Sequence, residues 1–104
     1  MINEVIAKDP FGKIIHLSPG MIFTKNDHDE IYDDAATVIQ KPAIIIEVKE
    51  KGETELYYFR SVGWNNTLLI TVKLNNGRWE AYECIKNPSS EVLSAVLKKG
   101  NQLL

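Results

Sequence analysis

Asn76-Gly77, set between two runs of alternating apolar and polar residues, limits the fold of this chain more than any other feature. A two-residue hairpin turn needs positive φ at both central positions, and Asn-Gly is the pair that tolerates this best. TLLITVKL (67–74) and RWEAYECI (78–85) are therefore read as neighbouring antiparallel strands. The turn also fixes their register. Asn75 pairs with Arg78, and from there Leu74 opposes Trp79, Val72 opposes Ala81 and Leu68 opposes Ile85, these last three pairs on an apolar side. Thr71 opposite Tyr82 and Lys73 opposite Glu80 fall on the other side.

Upstream, AIIIEVKE (43–50) and TELYYFRSV (54–62) flank Lys51-Gly52 and read as a second hairpin. Ile44, Ile46, Val48 and Phe59 share one face of it, while Tyr58 and Arg60 take the other. Joined through Gly63-Trp64-Asn65-Asn66, the hairpins make a four-stranded antiparallel meander. One greasy side is expected to meet the helices, leaving a mixed side with Arg60, Thr71, Lys73, Glu80 and Tyr82.

Before the meander, Asp9-Pro10-Phe11-Gly12 has the pattern of a β-turn. KIIHLS (13–18) reads as a short strand stopped by Pro19-Gly20. From Asp29, the spacing of Ile31, Ala35, Val38 and Ile39 predicts a helix, capped by Asp27 or Asp29 and ended by Gln40-Lys41-Pro42. After the meander, Asn87-Pro88 and Ser89 or Ser90 start a short helix through Val92, Leu93, Val96 and Leu97, terminated at Gly100. The expected architecture is a single α+β domain over 1–104: an N-terminal strand and helix, the four-stranded meander, and a C-terminal helix.

Composition restricts function more than it assigns it. With 44 % hydrophobic and 25 % charged residues, the chain is an ordinary globular mixture. No apolar run approaches the roughly 18–20 residues that cross a bilayer, and the N-terminus lacks the pattern of a secretory leader, so a cytoplasmic protein, or one carried inside a particle, without a membrane role is expected. Cys84 is the single cysteine, which excludes an internal disulfide and a cysteine-based zinc site. His16 and His28 with Asp27, Asp29 and Glu30 read more simply as a solvated acidic turn than as a metal site, and no cofactor motif is present. The net charge of −2 gives no global basic footprint, so a polyanion site would have to be local.

Histidine suits acid/base work near neutral pH. His16, among Ile14, Ile15 and Leu17, fits either that role or a half-buried structural one. His28, beside Asp27 and Asp29, fits a proton donor or an exposed loop side chain. Arg60 could hold a phosphate bidentately, or pair with Glu80 or Glu47 across strands. Tyr82, with Thr71 opposite, offers hydroxyls for a phosphate or a ring for a base. Lys73 adds a cation, and Trp64 in its loop could stack on a ligand.

DPFGKIIHLS at 9–18, VIQKPAIII at 38–46, YYFRSVG at 57–63, LLITVKLNNGRWEAYECI at 68–85 and LKKGNQLL at 97–104 together resemble the phage-associated branch of the Barnase–EndoU–colicin–RelE-like (BECR) nucleases. The resemblance implies N-terminal helical material before a four-stranded meander, with the active site on the exposed sheet face. It further implies metal-independent cleavage of RNA, with His28 as the helical histidine, Arg60 as the strand arginine and Tyr82 near the end of the last strand. His16 competes with His28 for the acid/base role, because TKNDHDEIYDD replaces the longer helical segment of that branch. The alternative implied is an inactive member kept for interaction: a phage accessory, antitoxin or immunity-like partner that pairs through an exposed sheet edge.

Overall fold

The computed structural model describes residues 5–23, 28–61 and 67–104, leaving aside the side chains of residues 5, 18–23 and 28–33. The strands are β1 (Val5–Lys8), β2 (Ile14–Phe23), β3 (Ile44–Glu50), β4 (Glu53–Ser61), β5 (Thr67–Asn75), β6 (Arg78–Lys86) and β7 (Asn101–Gln102), and the helices are α1 (His28–Gln40) and α2 (Ser90–Lys99). They build an α+β fold on one seven-stranded sheet ordered β1-β2-β6-β5-β4-β3-β7. The β3–β6 meander is its centre. β2 runs parallel to β6, and the other pairs are antiparallel.

Both tight turns form as their residues dictate. Lys51 and Gly52 have φ of 51° and 78°, and Asn76 and Gly77 have 54° and 78°, the positive pair that a primed hairpin turn needs. Asn87, at φ 52°, also lies in the left-handed region. Its side-chain oxygen accepts from the Thr67 amide at 2.9 Å while its own amide donates to Thr67 at 2.7 Å, closing the end of the β5–β6 ladder. Ser89 caps α2, its hydroxyl accepting from the Val92 amide at 3.2 Å, with Glu91 in the first turn and Lys98 and Lys99 in the last.

The sheet is greasy on both faces, not one. Ile15, Leu17, Ile45, Leu56, Tyr58, Leu68, Ile70, Val72, Ala81 and Cys84 face α1 and bury Ala35, Val38 and Ile39. Ile46, Val48 and Val96, with Ile44 and Tyr57, form a smaller cluster on the α2 face. Of α2 only Val96 is buried, and the helix packs chiefly against β3. At about 1.5–3 kcal/mol per fully buried aliphatic side chain, α1 is held far more firmly. Beyond β3, α2 shares a small apolar gap with Tyr57, Phe59 and Leu69, and the end of that face with Lys73, Glu80 and Tyr82 stays open.

Strand ends and pairing also differ from the sequence expectation. The strand from Ile14 does not end at Pro19-Gly20 but continues to Phe23. Its register with β6 shifts between Leu17 and Ile22, so the proline falls where no ladder bond to β6 is required. A bulge between Val72 and Thr71 makes Tyr82 the extra residue of β6, so Thr71 opposes Glu83 and Leu68 opposes Lys86, not Tyr82 and Ile85. VIAK, read only as part of the N-terminal segment, forms the edge strand β1. Gly100 ends α2 as the sequence predicts, in an extended geometry with φ −123°.

Close approach explains that glycine. A Cβ on Gly100 would meet Ile46 Cγ2 at 2.5 Å, the Glu47 carbonyl oxygen at 2.6 Å and Val48 Cγ2 at 2.9 Å. Gly100→Ala is expected to cost about 1–3 kcal/mol, as overpacking does elsewhere, and urea denaturation reads the loss directly.

The β1–β2 hairpin is organised by one buried carboxylate. Asp9, 4 % exposed, accepts from the amides of Phe11 (3.0 Å) and Lys13 (2.8 Å) and, through its second oxygen, from the Tyr58 hydroxyl at 2.7 Å. The Asp9 amide donates to the Lys13 carbonyl at 2.9 Å, and the Gly12 amide donates to the Asp9 carbonyl at 3.0 Å. The Asp-Pro-Phe-Gly-Lys segment is thus a structural turn pinned to the α1-side core.

Candidate active site

A row of polar and charged side chains gathers on the α2 face of the sheet. Trp79 and Ala81 turn into the α1 core, so Glu80 between them takes the opposite face. The same alternation, with Ile15 and Leu17 buried, places His16 beside Glu80 in the parallel β2–β6 register. Glu80 opposes Lys73, and Lys73 opposes Glu55. One row therefore crosses four neighbouring strands as His16, Glu80, Lys73 and Glu55. Neighbouring strands lie roughly 4.8 Å apart, so Glu80 is within side-chain reach of both His16 and Lys73.

Tyr82 is aimed into this row by its bulge. Its hydroxyl donates to Glu55 Oε2 at 2.5 Å, and Lys73 Nζ lies 4.8 Å from its ring centroid. Burial and then the Glu55 contact push the Tyr82 phenol far above its ordinary range, so it is a neutral donor rather than a base. Tyr57 is raised in the same way, by burial first and then by Glu55, Glu50 and Glu83. The Glu80 carboxylate is held from the turn side by Asn75 Nδ2 at 3.0 Å and by Arg78 Nε at 3.6 Å. A cleft of about 320 Å³ opens here, lined by Glu53, Thr54, Lys73, Asn75, Glu80 and Tyr82 among others.

Arg60 does not join this site. It pairs with Leu68 on the α1 face, and its Nη1 donates to the Lys41 carbonyl at 2.8 Å. That carbonyl follows the last turn of α1, so Arg60 acts as a cationic cap on the helix C-terminus. The expected mixed face is corrected accordingly: Thr71, Lys73, Glu80 and Tyr82 share a face, and Arg60 takes the other. Thr71 is on the right face but only 2 % exposed, beneath the surface a ligand would touch. His28 is the first residue of α1, and its side chain lies outside the described residues, as does Trp64.

Cys84 is buried in the α1-side core, and desolvation, then Asp34 and Glu83, push its thiol up to about 12. It is no nucleophile at neutral pH. Among the described residues no group of three His, Cys, Asp or Glu side chains gathers as a metal site, and no helix is long and apolar enough to cross a membrane.

Glu55 and Glu80 were not singled out as site residues from sequence. Glu80 was legible, because the Asn76-Gly77 turn places it opposite Lys73. Glu55 was not, since the connection over 62–66 is too long to set the β4–β5 register. No family model matches the chain, and neither a curated protein nor a solved structure matches it.

Proposed function

We propose that this chain is a small metal-independent endoribonuclease-type domain, phage- or mobile-element-associated and acting in the cytoplasm of a host cell, with its site on the α2 face. The observation that carries the reading is the single row His16–Glu80–Lys73 beside Tyr82, with Glu80, Lys73 and Tyr82 lining an open cleft. The likeness of the sequence to BECR nucleases supplies the substrate class.

In this reaction the Glu80 carboxylate takes the proton of a ribose 2′-hydroxyl as that oxygen attacks the neighbouring phosphorus. The bond from phosphorus to the 5′-oxygen breaks, a 2′,3′-cyclic phosphate forms, and His16 gives its proton to the leaving oxygen. Lys73 offsets the charge that builds on the phosphoryl oxygens, while Tyr82, whose single hydroxyl proton goes to Glu55, holds that carboxylate beside Lys73 and lines the cleft. Acid, base and cation are all side chains, so cleavage is expected to persist in chelator. Purified protein incubated with RNA and chelator should yield cyclic-phosphate ends. Lys73→Ala should slow this about 100- to 1,000-fold, the effect of removing one electrostatic stabiliser. Cleavage that Lys73→Ala and Glu80→Gln leave untouched would refute the assignment.

A second reading has its own observation. Glu53, Glu55 and Glu80 stand around Lys73, and Glu83 lies further along the same strand pair opposite Thr71, so the face carries more carboxylates than cations. A non-catalytic module that docks a basic protein segment there fits this balance. Absence of RNA cleavage, with saturable and salt-sensitive binding of a lysine-rich peptide that Glu80→Gln weakens, would favour it.

A further inference from the structure

The outer side of β3 is only partly covered. Ile46 and Glu47 pair with Gln102 and Asn101 of β7, and the Leu103 amide donates to the Ile45 carbonyl at 2.7 Å. The backbone groups of Ile45 and Glu47 therefore point outward, and alternation makes those of Lys49 do the same. Among the described residues no strand pairs with Lys49 on that side. The edge bears Ile44-Ile45-Ile46, a strongly strand-forming run, and β7 covers it with two residues.

This edge is complementary to itself. A two-fold axis through Val48 of two antiparallel β3 strands sets Glu47 of each opposite Lys49 of the other. Both are outward-bonding residues, as an antiparallel hydrogen-bonded pair requires. Within one chain Glu47 and Lys49 already lie 3.6 Å apart on the same side. Two crossed Glu–Lys pairs and four backbone bonds would close the contact. The Glu47 backbone cannot bond both Asn101 and a second copy.

We propose that the β3 edge is a pairing surface for a second copy of this chain, and that β7 is the segment that competes with it for Glu47. The inference is independent of any catalytic activity. It gives Gly100 a second role. Only a residue without Cβ lets the chain turn back tightly enough after α2 for β7 to reach the edge.

The test is a set of variants read by light scattering over a wide concentration range. Leu103 is exposed, and Leu103→Pro deletes the amide that bonds Ile45 while leaving the core alone. Its mass is expected to double at concentrations where the wild type remains a monomer. Adding Lys49→Glu sets like charges across the axis and should restore the monomer. Glu47→Lys with Lys49→Glu reverses both pairs and should restore the dimer. Gly100→Val, which displaces β7 by a different contact, should behave as Leu103→Pro does. The proposal is overturned if both β7 variants stay monomeric, or if their dimer ignores Lys49→Glu.

Discussion

Asp9→Ala is expected to lower folding stability by about 3–4 kcal/mol, since it strips one charged acceptor from three donors at once. The two turn amides can recover water, but the Tyr58 hydroxyl cannot. Tyr58 is fully buried, and a stranded buried donor costs about 1–3 kcal/mol by itself. For a domain of this size the sum corresponds to a drop in Tm of roughly 15–25 °C. Asp9→Asn keeps the acceptor for the turn amides and should recover part of the loss. Tyr58→Phe, combined with Asp9→Ala in a double-mutant cycle, isolates the pair. A change in urea midpoint too small to resolve for Asp9→Ala would show that the turn is not pinned by this carboxylate.

The same pair sets an alkaline limit. Burial and then Asp9 push the Tyr58 phenol above its ordinary 10.0, and Cys84 is raised from 9.0 to about 12. For each group the folded chain holds the proton more tightly than the unfolded chain. The stability they contribute is therefore fully present below the unfolded value and lost as pH rises toward the folded one. The urea midpoint should begin to fall above about pH 9 and fall faster above about pH 10. Tyr58→Phe should flatten the upper part of that slope.

How much of this was written in the residues depends on what fixes register. The Asn76-Gly77 and Lys51-Gly52 turns leave one choice of pairing, so Val72 with Ala81 and Lys73 with Glu80 followed from local chemistry. The bulge at Tyr82 did not, because nothing in RWEAYECI departs from simple alternation. Its cause is tertiary: β2 changes register against β6 at the same place, and Cys84 must reach the α1 core. The faces failed for a related reason. Val72 and Leu68 face α1, whereas Ile46 and Val48 face α2, so the apolar sides of the two hairpins do not coincide. A reading that assumed one greasy side was bound to put Arg60 on the wrong one. The side of the sheet that His16 takes is set by Ile15 and Leu17 on either hand, whose burial decides its direction. The Asp9 carboxylate was invisible as a core group, since its Tyr58 partner stands 49 residues away.

The two basic candidates, His16 and Arg60, can now be separated by a single comparison. If the row on the α2 face performs proton transfer, His16→Ala should lower RNA cleavage about 100- to 10,000-fold, the usual range for a general acid or base. KM should change little, because the imidazole moves a proton and does not supply the main phosphate contact. Arg60→Ala should leave turnover unchanged, since the guanidinium lies on the other face, bonded to the Lys41 carbonyl. Its cost should appear in stability instead, at about 0.5–1 kcal/mol for a lost cationic cap. Glu80→Gln completes the comparison. It keeps one acceptor oxygen for Asn75 but cannot take a proton, so kcat should collapse with the fold intact. The opposite pattern, with activity lost in Arg60→Ala and kept in His16→Ala, would move the chemistry to the α1 face and remove the basis for a site on the α2 face.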